Sequence, residues 1–284
     1  MKSIEKIGFM QGRLSPIIEN KIQAFPWETW SNEFSIANKI DLKIMEWTLD
    51  YKDLYKNPLM TGEGKKKINK LSKKYNLSIP SLTGDCFMQA PFWKSKNSEE
   101  ENQLKKDLIS ILENCNQVGI KFIVIPLVDE GRIDNLKEEQ LLISFLKEIE
   151  DKIYNLDQKI LFESDFNPRD LEKFISKFND DLFGINYDTG NSASYGFNPI
   201  EEFDAYGDKI LNVHIKDRPL GRTTVPLGEG DVDFDLVFKL LDQISYRGNY
   251  ILQTARALDD NHEKTLKNYK NFVETRVTSN GSRS

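Results

Sequence analysis

Eight short apolar runs, each bounded by turn residues, recur along the chain with room for a helix between neighbours. They are IEKIGFM (residues 4–10), LKIMEW (42–47), LSIPSLT (77–83), KFIVIPLV (121–128), KILFES (159–164), FGINYD (183–188), ILNVHIK (210–216) and NYILQ (249–253). Short continuous apolar runs of this kind suit strands buried on both faces, as in a parallel sheet. The intervening segments carry helical spacing: Trp30 to Lys39, Glu63 to Tyr75, Glu99 to Val118, Glu138 to Tyr154, Arg169 to Phe178, a short stretch after Pro199, Phe234 to Ile244, and His262 to Glu274. Punctuation agrees. Asn167-Pro168 and Asn198-Pro199 put proline at a first helical turn, Asp233 is placed to cap a helix, and Gly119 stands where the third helix should stop. Strict alternation of eight strands with eight helices predicts a closed (β/α)8 barrel, a TIM barrel in the α/β class. The rival, an open doubly wound sheet, would usually carry a glycine-rich phosphate turn after its first strand. Here that turn reads MQGRLSP.

Size and composition narrow the picture. A chain of 284 residues suits one barrel domain, expected over residues 1–276, with residues 277–284 expected as a disordered tail. The lysine-rich stretch from Gly62 to Lys74 reads as a solvated helix face. A net charge of −6 and a pI near 5.3 argue against nucleic acid as a partner. No apolar run approaches the roughly 20 residues that cross a bilayer, and the N-terminus lacks a signal-peptide core. Two cysteines, Cys86 and Cys115, are too few for a disulfide scaffold and read as structural, so a reducing cytoplasm is the simplest location.

Candidate chemistry sits where the strands end. The fifth run closes on Glu163, the sixth on Asp188, the seventh carries His214 and the eighth ends on Gln253. Parallel strands alternating with helices bring their C-terminal ends to one face. Two carboxylates, an imidazole and an amide oxygen around one point would form a mixed oxygen and nitrogen metal site. Each residue also has a plain structural reading. A histidine on a strand can be a hydrogen-bonded core residue, Asp188 before Thr-Gly-Asn can make an Asx-turn, and Gln253 can bond a loop carbonyl. His214 and His262 are the only histidines, and His262 reads as a surface residue opening the last helix.

Glu163 in LFESD, Asp188 in NYDTGN, His214 in VHIKD and the following LGEGDVDF together resemble the sugar phosphate isomerase/epimerase family with the xylose-isomerase-like barrel. The opening GFMQGRLSP resembles one branch of it, and the resemblance covers nearly the whole chain. It implies one divalent ion (manganese, magnesium, cobalt or zinc) and proton transfer next to the carbonyl of a sugar or sugar derivative. Members are often homo-oligomers. Two positions depart: Gln253 stands where the family commonly has a glutamate, and Asn191 where many members have histidine. The first removes a negative charge from the metal site and one of the two carboxylates that a two-base epimerisation would use.

On this reading Glu163, Asp188, His214 and Gln253 are the metal ligands, and Glu163 is also the base. A second acid/base must come from elsewhere. Lys216 is the first choice because it lies on the same side of its strand as His214; its alternative is an ion pair with a neighbouring carboxylate. Asp217, Glu46, Asp85 and Glu229 are other possibilities, with Glu46 and Asn191 also expected to line the substrate site. Arg13, Arg218, Arg222 and Arg256 follow strand ends and could grip an anionic substrate group, or pair with acidic loops. Gly228 and Gly230 could offer backbone N–H groups to the same anion. Trp27, Trp30, Trp47 and Trp93 fall near the mouth loops, and packing is favoured for at least two. A lyase or dehydratase on the same barrel is the alternative activity, and a non-catalytic sugar-binding protein the alternative class. The DNA-repair branch of the fold, which needs a histidine-rich zinc cluster, conflicts with two histidines and an acidic chain.

Overall fold

A computed structural model describes residues 6–19 and 21–281. Eight strands close into one parallel barrel in sequence order: β1 (Ile7–Met10), β2 (Ile44–Thr48), β3 (Ser78–Thr83), β4 (Phe122–Leu127), β5 (Lys159–Ser164), β6 (Phe183–Asp188), β7 (Ile210–Ile215) and β8 (Asn249–Leu252), with β8 paired to β1. The first strand's expected start, residues 4 and 5, lies outside the described residues. Every expected helix is present, but two details differ. The helix expected over Glu138 to Tyr154 divides at Ile149 into Leu136–Glu148 and Glu150–Asn155. The last helix, His262–Gly281, runs beyond residue 276; residues 282–284 lie outside the described residues. Asp233 caps the Phe234–Gln243 helix by accepting from the Leu236 N–H at 2.9 Å. Asn167 and Asn198 likewise cap helices that begin with proline.

The two-residue period of each strand separates two interiors. Outward positions such as Phe9, Met45, Trp47, Leu82, Ile125, Phe162, Ile185, Val213 and Leu252 join the helices in one large apolar core. Phe162, Phe174, Phe178 and Phe183 pack against one another within it behind β5 and β6, fixing those strands from outside. Inward positions at the bottom form a small separate plug of Met10, Ile44 and Ile251. A Cβ at Gly8 would lie 2.6 Å from the Ile44 side chain, so glycine lets β1 close against that plug. Above it the lumen turns polar: Glu46, Ser81, Thr83, Glu163, Asn186, Asp188, Asn212 and His214 are all buried. That polar upper lumen opens toward the strand C-termini.

Candidate metal centre

His214 is the hub. On β6 and β7 the register places Asp188 beside His214 and Asn186 beside Asn212, so both pairs point inward in successive layers. His214 Nδ1 lies 3.0 Å from Glu163 Oε2 and 3.9 Å from Asp188 Oδ2. One ligand atom from each of Glu163, Asp188 and His214 falls within 4.8 Å of the others, and all three residues are buried. Three of the four residues expected to converge, Glu163, Asp188 and His214, lie together.

The other ring nitrogen is committed below. His214 Nε2 lies 2.7 Å from Glu46 Oε1, and Glu46 also accepts from Ser81 Oγ at 2.6 Å, from Asn212 Nδ2 at 2.9 Å and from Thr83 Oγ1. Glu46 is wholly buried, so it does not line a substrate surface as expected. It stands behind the imidazole, and a carboxylate in that place fixes ring orientation and leaves Nδ1 facing Glu163 and Asp188. Asn186 completes the arrangement, with Nδ2 2.9 Å from Glu163 Oε2 and 3.0 Å from His214 Nδ1.

Charges decide the protonation. Burial alone would lower the His214 pKa, but the charges and hydrogen bonds of Glu46 and Glu163 outweigh it and lift the ring to about 10. Burial alone would raise Glu163 and Glu46; for both, the hydrogen bond and charge of His214 win, holding them below the usual carboxylate range. At Asp188 burial prevails over Lys216, and its pKa is raised. A concentration of buried carboxylate oxygens that draws a proton to Nδ1 draws a metal cation for the same reason.

Lys216 sits beside this group. Its Nζ is 2.6 Å from Asp188 Oδ2 and 3.2 Å from Asn191 Oδ1, which is the ion pair weighed as its alternative role. A Cβ at Gly190 would meet the Lys216 Cγ at 2.7 Å, so the glycine of the Asp-Thr-Gly-Asn segment admits the lysine stem. Asp188 also makes the expected local turn: its Oδ1 accepts from the Asn191 N–H at 2.8 Å and caps the Thr189–Tyr195 helix. One oxygen caps while the other faces the site. Asn191 donates to Glu163 Oε1 at 2.7 Å and accepts from Arg218 Nη1 at 2.7 Å, tying Glu163, Lys216 and Arg218 into one chain.

The remaining expected residues divide. Arg13 is buried and spends its donors on the carbonyls of Thr254 (2.9 Å) and Ile22 (3.0 Å), with Gln23 Oε1 at 3.4 Å. Arg256 donates to the Ser15 carbonyl. Both tie the loop after β1 to the segment after β8 and are withdrawn from an anion-gripping role. Arg218 bonds Asn191 and the Arg222 carbonyl, while the Arg222 side chain is exposed. The N–H groups of Gly228 and Gly230 are taken by Asp217 Oδ2 at 2.8 and 3.0 Å; the anion they serve is internal. Trp30, Trp47 and Trp93 are buried packing residues, and Trp27 is partly exposed. His262 is buried, contrary to its expected surface position. Cys86 and Cys115 are free and buried.

Gln253 lies two residues beyond the inward-facing Ile251, so it points into the lumen, and its backbone N–H donates to the Ile215 carbonyl beside His214. Its Nε2 donates to Gln23 Oε1 at 3.0 Å, and its Oε1 is buried with no hydrogen-bond partner among the described residues. Gln23 was missed. It sits in an irregular loop where no periodicity singles it out.

A closed parallel barrel whose mouth gathers a buried glutamate, aspartate and histidine defines the class: a (β/α)8 protein with a candidate divalent-metal centre. The chain belongs to the xylose isomerase-like TIM barrel family, whose model matches residues 34–272. It is 24% identical over 248 residues to inosose dehydratase of Clostridium beijerinckii, covering 74% of this chain and 81% of that protein. It is 21% identical over 243 residues to the putative L-ribulose-5-phosphate 3-epimerase SgbU of Haemophilus influenzae, covering 79% and 83%. The structure of the IolI protein with a bound zinc atom shares the fold, with a TM-score of 0.75 at 17% identity over 96% of this chain and 98% of that one. Among the described residues no helix is long and apolar enough to cross a membrane.

Proposed function

We propose that the protein is a divalent-metal-dependent isomerase or epimerase of a sugar or sugar derivative, moving a proton on a carbon next to a carbonyl. The observation that carries this reading is the convergence of Glu163, Asp188 and His214 within 4.8 Å in the polar mouth of the barrel. The donor set fits a manganese, magnesium, cobalt or zinc ion: two carboxylates, one imidazole nitrogen and the unpartnered amide oxygen of Gln253. The zinc atom of the IolI structure and the epimerase name of the Haemophilus relative support it.

The ion, when bound by Glu163, Asp188, His214 and Gln253, would polarise the substrate carbonyl and stabilise the charge that develops on its oxygen. Glu163 is the base. Asn191 and Asn186 hold its two oxygens in place. Lys216 is the second proton carrier, anchored at Asp188 and Asn191. Arg218, with the exposed Arg222 beside it, is positioned to meet an anionic group on the substrate.

Gln253 favours a second reading. An amide cannot exchange a proton, so a dehydration, which needs one base at carbon and an acid at the departing hydroxyl, is satisfied by Glu163 and Lys216 alone. The inosose dehydratase relative points the same way. Incubating manganese-loaded protein with ketoses and keto-inositols in deuterated water separates the readings by NMR. Deuterium next to the carbonyl in an epimer or isomer is the expected result, and loss of water would select the dehydratase. No exchange across a broad panel, with sugars still bound, would leave only a sugar-binding role. Glu163→Gln should reduce exchange by at least the roughly 10²–10⁴-fold attributed to a positioned base.

A further inference from the structure

An amide has an oxygen end and a nitrogen end, and only the oxygen can bind a cation. At Gln253 the neighbours choose between them. Asp85, buried just beyond β3, has no amide nitrogen of its own, and its Oδ2 accepts from Gln23 Nε2 at 2.7 Å. Gln23 must therefore turn its Oε1 the other way, where it accepts from Gln253 Nε2 at 3.0 Å and from Arg13 Nη2 at 3.4 Å. The nitrogen of Gln253 is thereby used, and its oxygen is the end left buried and unpartnered. Leaving a buried carbonyl oxygen without a donor costs free energy, so the arrangement is stable only if something else engages that oxygen.

We infer that Asp85, acting through Gln23, is a positioning residue that keeps the Gln253 amide oxygen turned into the lumen, where it serves as the fourth donor, a neutral oxygen, to a divalent cation. This rests on the metal-dependent reading above. Ionised Asp85 can only accept, whereas a protonated carboxyl could also donate, so the orienting chain is that of the carboxylate. Arg13, held by two loop carbonyls, adds a second donor to Gln23 Oε1 and disfavours the flipped amide. A glutamate at position 253 would need no such device, since both its ends are oxygen. The Asp85–Gln23 pair is thus the companion of the glutamine.

Manganese affinity of the metal-stripped full-length protein, measured by titration calorimetry, tests this as a double-mutant cycle. Asp85→Ala should weaken binding by about tenfold, at the low end of what loss of an outer-shell partner costs. Gln23→Leu, a change in a half-buried loop residue, should do the same and carries the test should Asp85→Ala fail to fold. In a Gln253→Glu background neither change should matter, a rescue that a merely structural role would not produce. The inference is overturned if either variant binds as tightly as wild type, or loses affinity equally in both backgrounds. Wild-type protein that binds no manganese, or a His214→Ala variant that keeps full affinity, would remove the metal reading itself. His214-dependent binding that ignores Asp85 and Gln23 would remove only the orienting chain.

Discussion

The two halves of the barrel mouth use similar residues to opposite ends. Over β5, β6 and β7, charged and polar side chains bond to one another: Glu163 to His214 and Asn191, Asp188 to Lys216, Arg218 to Asn191. Over β8 and β1, Arg13, Arg256 and Glu33 bond mainly to backbone. Glu33 accepts from the N–H groups of Gly12 and Leu14 at 3.0 and 2.9 Å, and both arginines donate to loop carbonyls. Side chains held by other side chains can hand those partners over to a ligand. Side chains that satisfy backbone groups cannot do so without unpicking the fold. The first half is chemistry; the second is largely architecture.

Removing the hub of the first half should have the largest effect. His214→Ala deletes a proposed metal ligand and leaves Glu46 buried among hydroxyls and an amide without its cationic partner. Manganese affinity should fall by more than the roughly 10–100-fold typical of an outer-shell change. Stability should fall by about 3–5 kcal/mol, the range for breaking a buried ion pair. Calorimetry and denaturant unfolding measure the two separately. A variant that keeps its stability would show that Glu46 does not depend on the ring.

On the other side, Arg13→Met should cost about 2 kcal/mol of stability, because the Thr254 and Ile22 carbonyls lose their donor. KM for any substrate bearing an anionic group should stay within the change expected from loosening the loop, whereas Arg218→Met should raise it. If Arg13→Met instead raised KM selectively for anionic substrates with stability intact, the division between the two halves would fail.

The pattern of strands was legible because each run is buried on both faces and therefore continuously apolar; the same reading located Glu163, Asp188 and His214 at strand ends. What stayed hidden depended on depth and on loops. Glu46 looks from sequence like any carboxylate near a strand end. Only the register that pairs it with Met10 and Ser81 sets it one layer below the mouth, behind His214. Arg13 and Arg256 were placed on the right face, yet their roles were decided by carbonyls of segments with no periodicity. Gln23, in one of those segments, carried no signal of its own. The N–H groups of Gly228 and Gly230 suggested an anion site, and the anion proved to be Asp217, eleven and thirteen residues upstream.

The smallest effect sharpens the comparison through pH. Burial pushes the Glu33 carboxyl up to about 7, against the pull of the Gly12 and Leu14 N–H groups and the nearby Arg256 charge. A carboxyl raised from its ordinary value near 4.5 binds its proton more tightly in the folded chain. Its contribution to stability is fully present below about pH 4.5 and is lost as pH rises through about 7. Wild-type stability from this group should therefore decline across that window and level off above it, by at most about 1.4 kcal/mol per pH unit. Glu33→Gln removes the titration and should flatten that part of the profile, without altering manganese affinity at neutral pH. Denaturant midpoints of the two proteins between pH 5 and pH 8 make the comparison. A Glu33→Gln profile parallel to wild type would mean that the Glu33 carboxyl does not titrate there. A loss of metal affinity in the same variant would show that the architectural half reaches into the chemical one.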